Sequence, residues 1–198
     1  MAAEHRPKTI TVEEYFELER SNPEVRYEYV DGYVYMMAGG SLNHDAITSN
    51  IQGILWNFLR GKPCRVYSSD AKVRVNAKRY FHPDVTVTCD PNDRGTIDFI
   101  SAPRIIFEVL SPSTEMNDRT RKIQNYLALP TLEEYILVDS HALKMEMYRR
   151  ENGKWVYYVF HSSAELELFS IDFQFSVREA YADVEFEATA LEEDDEDD

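Results

Sequence analysis

Two carboxylates in the middle of the chain stand where a carboxylate is costly. His82-Pro83-Asp84 opens the β-branched run VTVTC, so Asp84 falls at the start of a strand. Further on, RIIFEVL (104–110) carries Glu108 inside an almost wholly apolar stretch. A carboxylate there is unfavourable unless it is paired, protonated or bound to a cation. Asp118, Lys122 and Tyr126 then recur at four-residue spacing, which places them on one face of a helix.

These residue types suit phosphodiester cleavage. A hard cation polarises the phosphate and lowers the pKa of water, and Mg²⁺ or Mn²⁺ prefers oxygen ligands. Asp84 and Glu108 on adjacent strands can hold such an ion, with the Val109 carbonyl as a further ligand. A lysine beside them can orient the attacking water or neutralise charge developing on phosphate. Plainer roles stay open at this level. Asp84 can simply begin a strand, Glu108 can pair with Arg104 or Arg121, and Lys122 can be a solvated helix residue. No Ser/His/Asp pattern supports nucleophilic catalysis instead.

The elements that must position these groups follow from pattern. Thr11 and Glu14 have capping-box spacing at the start of a short helix, with Ile10 and Tyr15 placed as a hydrophobic staple. RYEYV (26–30), Asp31-Gly32 and YVYMM (33–37) predict a hairpin, because the turn needs positive φ. Ile47, Ile51, Ile54, Leu55, Phe58 and Leu59 predict an amphipathic helix over 43–60, stopped by Gly61 and Pro63. Strands are expected at 64–67, 70–76, 83–89 and 104–110, then a helix over 117–129 ending before Pro130. Further strands are expected at 134–139, 144–149, 155–160 and 165–169. This order implies an α/β (α+β) fold, a mixed sheet flanked by helices.

The chain has 198 residues and 43% apolar content, enough for one domain with a real core. No run is long enough to span a membrane, and MAAEHRPKTI lacks the apolar stretch of a signal peptide, so a cytoplasmic protein is expected. Cys64 and Cys89 lie in strand-like runs and are expected as buried, reduced thiols. The net charge of −15 opposes nucleic-acid binding. Seven of the acids, however, form the terminal run EEDDEDD. Residues 1–187 are therefore expected to form the domain and 188–198 a solvated, disordered tail. Between residues 60 and 79, seven basic residues, Lys72 and Arg74 among them, face only Asp70. That local excess can be a nucleic-acid contact or a solvated strand face.

The chain resembles the Uma-two family of restriction-endonuclease-like proteins, within the PD-(D/E)XK superfamily. The resemblance rests on RYEYVDGYVYMM (26–37), NHDAITSNI (43–51), LRGKPCRVYSSDAKVRV (59–75), FHPDVTVTCD (81–90), IIFEVLSPSTEMNDRTRKIQNYLALPTLEEYILVD (105–139) and SVREAYADVEF (176–186). It implies a restriction-endonuclease-like fold with Asp84 and Glu108 as metal ligands. The superfamily's usual lysine falls two residues after the acid, where this chain has Leu110, and the family pattern places it at Lys122 instead. Glu28 matches a further family acid, either beside the metal or as an exposed hairpin residue, and His44 matches a recurring position near the start of the long helix. His82 departs from the aromatic usual before Pro-Asp and is a borderline extra ligand. The resemblance implies a Mg²⁺- or Mn²⁺-dependent deoxyribonuclease acting on DNA, with a homodimer as its assembly. The alternative is a non-catalytic scaffold or nucleic-acid-binding module that keeps the nuclease fold.

Overall fold

A computed structural model describes residues 9–37, 39–95, 98–111 and 115–186, so the terminal acidic run lies outside the described residues. Helix α1 (Val12–Ser21) starts with the expected capping box, Glu14 N–H to Thr11 Oγ1 at 3.2 Å and Thr11 N–H to Glu14 Oε2 at 2.8 Å. The hairpin follows as β1 (Tyr27–Val30) and β2 (Tyr33–Met36), with Asp31 at φ 51° and Gly32 at φ 99°. Two consecutive positive φ values fit the twist of a two-residue hairpin turn, and Gly adopts one without a Cβ penalty.

Helix α2 (Leu42–Leu59) follows, then β3 (Arg65–Ser68), β4 (Val73–Asn76), β5 (Arg79–Phe81), β6 (Val85–Thr88) and β7 (Pro103–Leu110). The next helical segment has three parts: α3 (Glu115–Asn117), a π-helical turn over Asp118–Lys122, and α4 (Ile123–Leu127). Strands β8 (Glu134–Asp139), β9 (Lys144–Glu151), β10 (Lys154–His161), β11 (Glu165–Leu168) and β12 (Phe173–Ser176) precede a short α5 (Val177–Ala180). The main sheet runs β10-β9-β8-β7-β6-β3. Only β7 and β8 are parallel in it, joined by the helical crossover that carries Lys122. A second sheet, β2-β1-β5-β4, and a β11-β12 pair complete the fold. A mixed sheet with helices is what the pattern predicts. The second sheet is not foreseen, because β5 is three residues long and shows no alternation. Among the described residues no helix is long and apolar enough to cross a membrane.

The two faces of β7 explain its near-continuous apolar run. Ile105, Phe107 and Val109 pack with Ile47, Ile51, Leu55 and Leu59 of α2. Ile106 and Leu110 pack with Tyr126, Leu132 and Leu137 on the other side. A strand covered on both faces has little room for polar residues, and each such side chain contributes about 1.5–3 kcal/mol when fully buried. Glu108 alternates onto the second face, with Leu110 beyond it.

Cys64 and Cys89 form a disulfide, which corrects the expectation of reduced thiols. The antiparallel register pairs Arg65 with Thr88, so the next residues outward are cross-strand neighbours with Cα atoms 3.9 Å apart. Both are half-buried. Closing a loop over a sequence separation of 25 restricts the unfolded chain, so reduction should lower stability by about 3 kcal/mol. Urea midpoints with and without a reductant check this. Identical midpoints would mean the bridge does not restrain the unfolded chain.

Candidate active site

Asp84 sits one residue before β6. Val85 pairs with Phe107 across the β6–β7 ladder, and continuing that register sets Asp84 opposite Glu108. The Asp84 carboxylate takes over as ladder acceptor, with the Val109 N–H donating to Oδ2 at 2.7 Å. His44, in the first turn of α2, brings Nε2 to 3.4 Å from the same oxygen and also meets the Val109 backbone. Burial alone would lower the His44 pKa, but Asp84 and the Val109 carbonyl more than offset it, so the imidazole is held above its ordinary value. The other oxygen, Oδ1, accepts no hydrogen bond among the described residues.

Behind Asp84 lies a buried charge cluster. Lys122 Nζ reaches Glu28 Oε1 at 2.9 Å, Asp118 Oδ1 at 3.1 Å and Glu108 Oε1 at 3.2 Å. An ammonium has three N–H donors, and here each has a carboxylate. Tyr126 donates its hydroxyl to Glu108 Oε1 at 3.1 Å, leaving Oε2 without a hydrogen bond among the described residues. The Asp118–Lys122–Tyr126 stripe therefore does face the strand, and the π-helical turn that inserts an extra residue lies directly beneath it.

The cluster is unbalanced, with Glu28, Asp84, Glu108 and Asp118 around one lysine. Burial, the largest influence, pushes the Glu108 carboxyl well above the usual carboxylate range. Lys122 opposes that push, and Asp118, Asp84 and Glu28 add to it. Burial would release the Lys122 proton, but Glu108, Glu28 and Asp118 together hold its pKa well above the ordinary lysine value. Among the described residues, no three His, Cys, Asp or Glu side chains form a ready-made metal cage. Mg²⁺ and Mn²⁺ do not require one, since one or two carboxylates with water and substrate phosphate suffice. Asp84 Oδ1 and Glu108 Oε2, in a site with surplus negative charge, fit such an ion.

The plainer alternatives resolve against solvent exposure. Glu28 and Lys122 are buried rather than solvated. Arg104 donates to the Ser170 carbonyl and Arg121 stacks on the Tyr35 ring, so neither is the partner of Glu108. His82 is committed elsewhere, Nδ1 to Ser69 O at 2.7 Å and Nε2 to Glu19 Oε1 at 3.2 Å, which leaves no lone pair for a metal. Lys72 turns inward to pair with Glu19 from α1, beside the Phe16 ring. Arg74 is exposed, with its guanidinium 4.5 Å from the Phe99 ring centre. The basic stretch is thus divided between inward and outward side chains. Tyr126 as a hydrogen-bond donor to Glu108 has no sequence signal beyond the stripe.

Asp84 and His44 open onto a cleft of about 590 Å³ between α2, β2 and the segment before β1. Asp84 is 8% exposed, against 3% for Glu108, so the first acid meets solvent and the second lies deeper.

Comparison with known proteins agrees with this geometry. The chain is 40% identical over 179 residues to "Uncharacterized protein slr1290" of Synechocystis sp., covering 89% of this chain and 94% of that one. A second Synechocystis protein, "Uncharacterized protein sll1609", is 29% identical over 147 residues, covering 72% and 82%. In fold, the chain is similar to a crystal structure from Anabaena variabilis titled as a "putative nuclease belonging to DUF820", with a TM-score of 0.73 and 20% identity, covering 87% of this chain and 98% of that one. The sequence pattern of Uma2, described as "Putative restriction endonuclease", matches residues 12–178, and the chain belongs to that family.

Proposed function

We propose that the protein is a Mg²⁺- or Mn²⁺-dependent endonuclease that hydrolyses phosphodiester bonds in DNA. The observation that carries this reading is the surplus of carboxylate around Asp84 and Glu108, each with one oxygen free of hydrogen bonds. When bound, the ion would polarise the phosphate and make water a better nucleophile. Water adds to phosphorus, one P–O ester bond breaks, and the leaving oxygen takes a proton. The Val109 amide and His44 orient Asp84, and Tyr126 orients Glu108. Lys122 supplies positive charge and keeps Glu28 and Glu108 in place. Arg74 is the exposed cation we assign to DNA phosphate, whereas Lys72 is held by Glu19.

The test is incubation of DNA in several forms with Mg²⁺ or Mn²⁺, using wild type and Asp84→Asn. Cleavage by wild type that a chelator stops and the variant lacks is the expected result. Absence of cleavage would favour the second reading, a nuclease fold kept as a scaffold or nucleic-acid-binding module. The full engagement of the three Lys122 donors by carboxylates supports that second reading.

A homodimer and a cytoplasmic location belong to the same proposal. Strand β10 is an outer strand of the main sheet with Tyr157 and Val159 exposed, and an open edge invites pairing with a second copy. Light scattering should give twice the chain mass at micromolar concentration. A single-chain mass throughout that range would count against the dimer.

A further inference from the structure

The walls of the cleft beside Asp84 are apolar where a duplex-binding surface carries cations. Met36 is 71% exposed and Leu42 89% exposed, and both line the cleft with Val25 and Met37. Its only lysine or arginine among the described lining residues is Arg26, which pairs with Asp70, while Glu24, Asp45 and Asp84 add negative charge. Duplex DNA presents mainly phosphate to a protein, and affinity for it comes from lysine and arginine set along the backbone track. This cleft has no such track. Unpaired bases present flat apolar faces, and exposed methionine and leucine are side chains that insert beside or between unstacked bases.

We infer that the cleft takes DNA whose bases are unpaired, held by contact of a base with Met36 and Leu42 rather than by backbone charge. This rests on the nuclease reading above and narrows its substrate. Three features point the same way. Asp84 lines the same cleft, so a nucleotide lodged there lies beside the carboxylate assigned to the reacting phosphate. The volume of about 590 Å³ matches pockets that enclose a small molecule, the scale of a nucleotide rather than of a duplex turn. The first turn of α2, with Ser41, Leu42, His44 and Asp45 in the wall, brings backbone amides that can meet a phosphate without a basic side chain.

The experiment is single-turnover cleavage with Mn²⁺ of one labelled strand, of the same strand in a duplex, and of that duplex with a central unpaired bubble. Wild type should cut the strand and the bubble about 10-fold faster than the duplex, or more, since base contact is worth about 1–3 kcal/mol. The double variant Met36→Ser/Leu42→Ser changes two exposed side chains and should fold normally. It should slow cutting of the strand and the bubble by about 5-fold or more. Its Mn²⁺ affinity should be unchanged. A duplex cut as fast as the strand, or a double variant that cuts the strand like wild type, overturns the inference and leaves the nuclease reading standing. No cutting of any of the three, with no Mn²⁺ bound, overturns both.

Discussion

Lys122→Ala should lower stability by about 3–5 kcal/mol at neutral pH and slow cleavage by about 100-fold or more, ~2.7 kcal/mol of transition-state stabilisation. The size follows from burial: the Lys122 side chain is 5% exposed and its partners Glu28, Glu108 and Asp118 are 6%, 4% and 2% exposed. Removing the ammonium leaves buried carboxylates without their counter-charge, which is where loss of one partner costs most. The pH dependence has a definite sign. Lys122 is raised in the folded protein, so its contribution is present below the unfolded lysine pKa and fades as pH rises through the folded value. Glu108 is also raised, so the fold binds its proton more tightly than the unfolded chain, and stability falls as pH climbs above the ordinary Glu value. Without Lys122 that fall should steepen, and the variant's deficit should shrink as pH drops toward the ordinary carboxyl range. Lys122→Arg should rescue only partly, because a planar fork does not replace a point charge meeting three oxygens. Arg121→Ala is the control, since that guanidinium stacks on Tyr35 instead of entering the cluster. Denaturation curves over pH, with cleavage rates for the three variants, check the set. A dead Arg121→Ala beside an active Lys122→Ala would reverse the assignment.

Asp84→Asn should separate function from stability. Asparagine keeps an oxygen to accept the Val109 N–H, now at 2.7 Å, so the ladder contact survives. It also removes one of the charges that raise the Glu108 carboxyl, relieving repulsion in the site. The variant should therefore melt at or above the wild-type temperature while losing about 100- to 1,000-fold in cleavage, ~3–4 kcal/mol. Greater stability from loss of a costly charge is common where a site is strained for function. Thermal melting and single-turnover rates measured together test it. A variant that cuts normally would remove Asp84 from the chemistry.

What could be read from the sequence was what neighbouring residues decide. The Thr11–Glu14 box and the Asp31-Gly32 turn each lie within four residues, and the α2 face repeats at a regular interval. Asp84 and Glu108 stood out because an acid in an apolar strand is costly wherever the strand lies. Contacts set by register or by docking of distant elements were not readable. Cys64 meets Cys89 only because β3 pairs with β6 in one register. Lys72 loses its place in the basic stretch to Glu19 in α1. Glu28 reads as either a hairpin surface residue or a site acid, and the helical crossover packed over it decides for burial.

Calorimetric titration of Mn²⁺ into wild type, Asp84→Asn and Glu108→Gln tests the central claim most directly, that these two acids share one divalent ion. The account predicts a single site in wild type that is lost or weakened about 100-fold in each variant. Equal Mn²⁺ affinity in all three proteins would contradict it.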